Sequence, residues 1–343
     1  MNTISMSAKS SKLFFGEEGH GLSRYDVVRY PALLKLDEQM KSLFWRPQEV
    51  DMSQEKASFN KMTEAEQFVF TSNLRRQILL DSIQGRAPSL TFLDACTDPS
   101  LENCIQTWSF FETIHSESYT WIIRAIYPNP SEVFDGIPDI KEIADCATSI
   151  GGAYDTFLRT KTKKDLYLAL IAANALESIR FYVSFACSFS FAERGLVEAS
   201  AKVLKFIARD EARHLALVHL IIKLLPEDDS DFIQIIKDNK EEAIAIFEEA
   251  AKQEREWINY LFSKGKILGL NEQVLNQYID YLLPIRLYAA GLSTIKGTIQ
   301  NPIPWIDKWF TNSNVQVAPQ EVEISSYLTG TVVNDLADTK FSF

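Results

Sequence analysis

Two copies of one pattern dominate the chain: Glu112-x-x-His115 and Glu211-x-x-His214. A residue and its i+3 partner lie about 60° apart around a helix and one turn apart along it, so each pair can chelate one ion. Only four histidines are present, His20, His115, His214 and His219, and two of them stand in this relation to a glutamate. A single copy carries little weight, because a surface glutamate beside a core histidine gives the same letters. Two copies on separate helices are half of what a dinuclear site in a helix bundle needs. The other half is a carboxylate from each of two further helices, and Asp81 and Glu177 supply it. Four carboxylates balance two divalent cations, so an apolar core can hold the assembly without large uncompensated charge. For Glu177 alone, an ion pair with Arg180 is the plain alternative. Carboxylates and imidazoles without thiolate suit iron or manganese better than zinc or copper(I).

Next to these residues stand others that decide what a metal pair is for. Tyr119 follows His115 by four residues and Glu112 by seven, on the same helical face. Phe181 and Phe185 follow Glu177 by one and two turns, and Ile207 precedes Glu211 by one turn. Each alone reads as core packing. Together they predict an apolar pocket around one phenol beside a redox-active centre, the setting of a protected radical.

Helices must position all of these groups, and the sequence signals helix nearly throughout. Thr63 to Glu66 is a capping box that opens a helix to about Ile83, stopped by Gly85 and Pro88. Asp98-Pro99 opens the next, and Pro128 ends it. A third runs from about Lys164 to Arg194, closed by Gly195, and a fourth from about Leu196 to Leu225, stopped by Pro226. Further helices are expected over 231–263 and 271–297, the latter kinked by Pro284. The stretch from Leu166 to Ala192 is apolar on nearly every side, but Asn174, Glu177 and Arg180 interrupt it. That composition predicts the buried centre of a bundle, not a membrane span.

The bulk properties set outer limits. The chain has 343 residues, 46% hydrophobic and 24% charged, with a net charge of −11. That charge argues against nucleic-acid or anionic-membrane partners. Cys96, Cys104, Cys146 and Cys187 form no C-x-x-C pair and read as reduced thiols, and residues 1–12 lack an apolar signal region. A cytoplasmic protein is expected. Phosphate-binding glycine loops are absent. From about Thr311 the pattern changes: 312–343 have sparse apolar positions, no helical period and the ending Lys340-Phe341-Ser342-Phe343.

With these residues in view, the chain resembles the small (beta) subunit of class I ribonucleotide reductase, most like the class Ia bacterial type. The resemblance covers nearly the whole chain. It is carried by 44–47 around Trp45, 79–86 around Asp81, 112–119, 174–181, 208–214, 301–305 and 315–327. It implies an all-α, ferritin-like dimetal-carboxylate bundle over 1–311, with 1–25 as an extended arm and 312–343 as a flexible tail. Asp81, Glu112, His115, Glu177, Glu211 and His214 match the six ligands, and Tyr119 matches the radical tyrosine. Trp45, Asp210 and Tyr327 match a radical-transfer route to the large (alpha) subunit, and Glu321 matches a tail glutamate implicated in that coupling. The implied cofactor is an oxo-bridged pair of iron ions per chain, manganese being an alternative, with a tyrosyl radical formed from dioxygen. The implied partners are a second copy of the chain and the large subunit, on which ribonucleotides become deoxyribonucleotides for DNA synthesis. One departure is visible: the connection between Thr156 and Asp165 is short, where some bacterial members insert a strand-forming segment. An iron-storage protein and a substrate-oxidising dimetal oxidase share the ligand spacing. The first lacks counterparts of the Trp45 and Tyr327 stretches, and the second needs an open cavity where Phe181 and Phe185 fill space.

Overall fold

The computed structural model describes residues 12–16 and 22–310. Among these the chain is helical, with isolated bridges at Phe14 to Cys96 and Ile267 to Leu270 in place of any sheet. The long helices are α1 (Pro31–Ser42), α2 (Glu64–Gln84), α3 (Pro99–Ile126), α4 (Lys141–Thr160), α5 (Lys163–Ala175), α6 (Tyr182–Ala192), α7 (Glu198–Asp228), α8 (Lys240–Leu261) and α9 (Glu272–Ala289). A π-helical turn, Leu176–Arg180, joins α5 to α6.

Two predicted helix starts form as expected. Glu66 N donates to Thr63 Oγ1 and Thr63 N donates to Glu66 Oε2, completing the capping box of α2. Asp98 accepts from Ser100 N and Leu101 N at the head of α3, where Pro99 has no N–H to leave unsatisfied. At the other end of α2, Gly85 lets two helices approach: a Cβ there would meet Asp81 O at 3.2 Å and Glu112 Cβ at 3.7 Å. Helix α2 packs on α3, α3 on α7, and α7 on α6 and the π turn, with α6 returning to α2. That closed ring is the four-helix core. The span Lys163–Ala192 is long and apolar enough to cross a membrane, but 94% of its most apolar window is buried in this protein, so it is the core helix it was expected to be.

Other boundaries differ from expectation, each for a physical reason. The helix expected unbroken from Lys164 to Arg194 contains the π turn. Its widened backbone is held from outside: Arg286 Nε donates to Ser178 O (3.1 Å) and Arg76 Nη1 to Arg180 O (3.0 Å). Carbonyls loosened from the regular ladder are thereby satisfied. Pro226 does not stop α7, which runs to Asp228. The last turn is fastened by Leu13 N (2.9 Å), Arg29 Nη2 (2.8 Å) and the Tyr30 hydroxyl, all on the Asp228 carboxylate. The stretch 231–263 is two helices, broken where Asn239 Nδ2 turns back onto Ile235 O. The final long helix ends at Ala289 and not near 297, because Gly291 takes φ +74° and reverses the chain. Helices α1 and α4 were not anticipated.

Candidate metal centre

The four ring helices deliver six donors to one dry point. Asp81, Glu112, His115, Glu177, Glu211 and His214 are each at most 3% exposed. Their donor atoms fall into two groups, Asp81, Glu112, His115 and Glu211 in one, and Glu112, Glu177, Glu211 and His214 in the other; within each group all lie inside 4.8 Å of one another. Glu112 and Glu211 belong to both. Each shared carboxylate divides its oxygens between the histidines. His115 Nδ1 is 3.2 Å from Glu112 Oε2 and 3.2 Å from Glu211 Oε1. His214 Nδ1 is 3.0 Å from Glu112 Oε1 and 2.9 Å from Glu211 Oε2. A pair of cations would be held by Asp81 and His115 on one side and Glu177 and His214 on the other, with Glu112 and Glu211 within reach of both.

The donor set fits a metal pair by its unmet valences. Both Asp81 oxygens and Glu177 Oε2 are buried with no well-formed hydrogen bond among the described residues, a costly state for carboxylates unless cations complete it. The electrostatics agree. Burial, then the charges of Glu112 and Glu211, push Asp81 well above the usual carboxylate range, and burial, then Glu211 and Glu112, do the same to Glu177. His115 is pushed well up and His214 up to about 9, because neighbouring carboxylates outweigh the opposing effect of burial. Glu211 goes the other way, since the two imidazoles outweigh its burial. Without cations the cluster would collect protons in their place.

The comparisons with known proteins decide the family. The profile of the family described as "Ribonucleotide reductase, small chain" matches residues 24–302. The chain is 46% identical to the ribonucleoside-diphosphate reductase subunit beta of Haemophilus influenzae, over 93% of this chain and 92% of that one. It is 45% identical to ribonucleoside-diphosphate reductase 1 subunit beta of Escherichia coli O157:H7, covering 94% and 93% of the two chains. The chain belongs to the ribonucleotide reductase small-chain family. A solved ribonucleotide reductase subunit from Clostridium botulinum, 25% identical, superposes with a TM-score of 0.82 over 89% of this chain and 96% of that one. The ferritin-like fold is thereby shown, and as a small chain the protein is one subunit of an oxidoreductase that works with a large chain.

The remaining residues expected of a ribonucleotide reductase small chain fall into three sets. Tyr119 is fully buried and its hydroxyl, which faces Asp81, makes no well-formed hydrogen bond among the described residues. Burial, then the nearby Asp81 charge, push the phenol well above its ordinary value. Phe181, Phe185 and Ile207 are buried too, the two rings stacked at 5.9 Å. The second set leads outward. His115 Nε2 lies 3.2 Å from Asp210 Oδ2, and the same oxygen accepts a 2.7 Å bond from Trp45 Nε1. Arg209 braces Asp210 from Oδ1 (3.2 Å) while holding Leu43 O (2.6 Å). Asp210 thus pairs with Arg209, and beside that ion pair runs an unbroken polar path from a cluster histidine to a buried indole. Tyr327 and Glu321, with the whole 312–343 tail, lie outside the described residues.

Arg180 does not pair with Glu177; it bonds Cys146 Sγ (3.1 Å), Ser149 Oγ (3.2 Å) and Gln253. Sequence reasoning missed three groups behind the clustered carboxylates, two in contact with them and the third behind one of those two. Trp108 Nε1 donates to Glu112 Oε1 (2.9 Å), Gln84 Nε2 donates to Glu177 Oε1 (2.7 Å), and the Tyr154 hydroxyl donates to Gln84 Oε1 (2.8 Å). Trp108 and Gln84 carried a usable signal, four residues before Glu112 and three after Asp81. Tyr154 carried none.

Proposed function

We propose that this chain is the radical-generating beta subunit of ribonucleoside-diphosphate reductase, holding two iron ions between Asp81, Glu112, His115, Glu177, Glu211 and His214 and storing an oxidising equivalent as a Tyr119 radical. The observation that carries the reading is the division of Glu112 and Glu211 between the two histidines, within a family whose curated relatives bear that name. A bound iron pair supplies the reduction of dioxygen and the one-electron oxidising power.

The chain's own residues do the rest. Nε2 of His115 facing Asp210 leaves Nδ1 to present its lone pair to the cluster. Burial keeps water from the Tyr119 ring. Asp81, the carboxylate whose charge acts most on the phenol, would take the Tyr119 proton as the ring is oxidised. Demand from the partner is met through His115, Asp210 and Trp45, where the Asp210 carboxylate accepts the indole proton as the electron moves. Tyr327 continues the route and Glu321 supports it, both in a tail whose terminal Phe341 and Phe343 are suited to anchor on the large subunit. Reduction of the nucleotide takes place there, which accords with the lack of a phosphate-binding loop in this chain. Manganese satisfies the same hard donors and is the alternative occupant.

A second copy is the expected immediate partner. Leu90 and Phe110 are 64% and 50% exposed on and beside the outer side of α3, and Phe44 stacks on Phe110 at 6.0 Å; an apolar patch there suits a symmetric interface. Buried, unpaired cysteines accord with a cytoplasmic location. The test of the reading is metal analysis of iron-loaded protein with anomalous scattering from its crystals. Two ions per chain, sharing Glu112 and Glu211, are expected; a single ion, or metal bound elsewhere, contradicts it.

A further inference from the structure

Glu177 enters the cluster with one oxygen committed and one free. Oε1 accepts the 2.7 Å bond from Gln84 Nε2, whereas Oε2 has no hydrogen-bond partner among the described residues. Gln84 ends α2, and its carbonyl oxygen accepts 2.8 Å from Tyr154, which stands on α4, outside the four-helix ring. Gln84 is wholly buried and Tyr154 is 3% exposed. The Tyr154 ring is also wedged edge-on against Phe92, at 6.0 Å and 87°.

This chain of donors has one consistent direction. An ionised carboxylate only accepts, so the amide must turn its NH2 end to Glu177 and its oxygen to the phenol. A flipped Gln84 would set two acceptors against each other in a dry interior and leave the phenol without an acceptor. Such a brace has a purpose where it stands: Glu177 rides on the π turn, an irregularity that recurs at functional sites. Asp81, in the other half, has no amide donor among the described residues and faces the Tyr119 phenol.

We infer that Gln84 and Tyr154 are positioning residues for the metal ion on the Glu177 and His214 side: together they hold Glu177 so that Oε2 alone is presented to that ion. The inference rests on the dimetal reading above and adds two residues to it. Tyr154 acts through Gln84 and touches no donor of the cluster itself. Partners one step removed from a metal typically change its affinity about 10- to 100-fold when lost, and here the loss falls on one ion of the two.

The experiment titrates the metal-free full-length chain with Mn(II), reading free Mn(II) by its EPR signal. Anomalous density in Mn(II)-soaked crystals assigns each ion to its side. The wild type is expected to bind two ions; if it does not, the dimetal reading fails, and this inference with it. In Tyr154→Phe the ion at Asp81 and His115 should bind as in the wild type, while the ion at Glu177 and His214 weakens about 10- to 100-fold and loses occupancy. Equal affinities to wild type at both positions, or an equal fall at both, overturn the inference while leaving the dimetal reading standing. Should Tyr154→Phe fail to fold, Gln84→Met, which keeps the side-chain length and removes the amide, takes its place with the same two readings.

Discussion

The two halves of the cluster look alike in sequence and differ in what stands behind them. Each has one terminal carboxylate, one histidine from an E-x-x-H pair, and a share in Glu112 and Glu211. Behind the Asp81 and His115 half, His115 Nε2 connects through Asp210 to Trp45, and the Tyr119 phenol stands near Asp81. Behind the other half, Glu177 is braced by Gln84 and Tyr154, and His214 Nε2 has no hydrogen-bond partner among the described residues. In the proposed reading one half is wired for traffic and the other is fastened, and similar donors would take different roles from the residues behind them.

That contrast is open to disruption, and the largest effect is expected at Asp210. Asp210→Asn removes the proton acceptor between His115 and Trp45 and touches only the first half. Metal content and the Tyr119 radical should survive, while turnover with the large subunit falls by on the order of 10²- to 10⁴-fold, the usual worth of a positioned acid or base. A variant with normal turnover would detach Asp210 from the route.

A smaller effect is expected where the halves share a ligand. Trp108 donates to Glu112 Oε1, so Trp108→Phe should weaken both ions alike, by about tenfold, in the same Mn(II) titration. Weakening confined to one ion would show that Glu112 is not shared as the geometry indicates.

The smallest effect concerns both halves together and is read from pH. In metal-free protein Asp81, Glu177, His115 and His214 all have raised values, the last about 9 against an ordinary 6.5. A group raised on folding binds its proton more tightly when folded, so its stabilisation is complete below the unfolded value and fades as pH rises through the folded one. Metal-free protein should therefore lose a few degrees of Tm between about pH 6.5 and 9, and metal-loaded protein should not. The lowered value of Glu211 acts with opposite sign, at the acid end outside this window. Calorimetric melts with and without metal across that range make the check; parallel curves would contradict the proton-filled picture of the empty cluster.

How much of this was legible in the sequence follows from how local each signal is. The clustering of the six donors was readable because i+3 spacing places Glu112 with His115 and Glu211 with His214 on shared faces, Asp81 and Glu177 follow as a carboxylate on each remaining core helix, and the Thr63 and Asp98 caps place α2 and α3. The π turn was not, since neither proline nor glycine marks it and the arginines that satisfy it come from α2 and α9. Helix α4 had its pattern in Ile143, Cys146, Ile150, Tyr154 and Phe157, all buried, but Gly151-Gly152 in the middle reads as a break. Tyr154 could not be assigned a role because its partner Gln84 lies on another helix, and only the packed structure brings the two together. Trp45 and Asp210 were known from family resemblance alone; the hydrogen bonds joining them to His115 belong to the fold.

The central claim is that this cluster oxidises Tyr119, and EPR tests it most directly. Metal-free protein is loaded anaerobically with Fe(II), exposed to air and frozen, in the wild type and in Tyr119→Phe. A tyrosyl signal is expected in the wild type and absent in the variant, with both irons still bound in each. A tyrosyl signal that persists in Tyr119→Phe, or a wild type that binds two irons and yields none, would contradict the account.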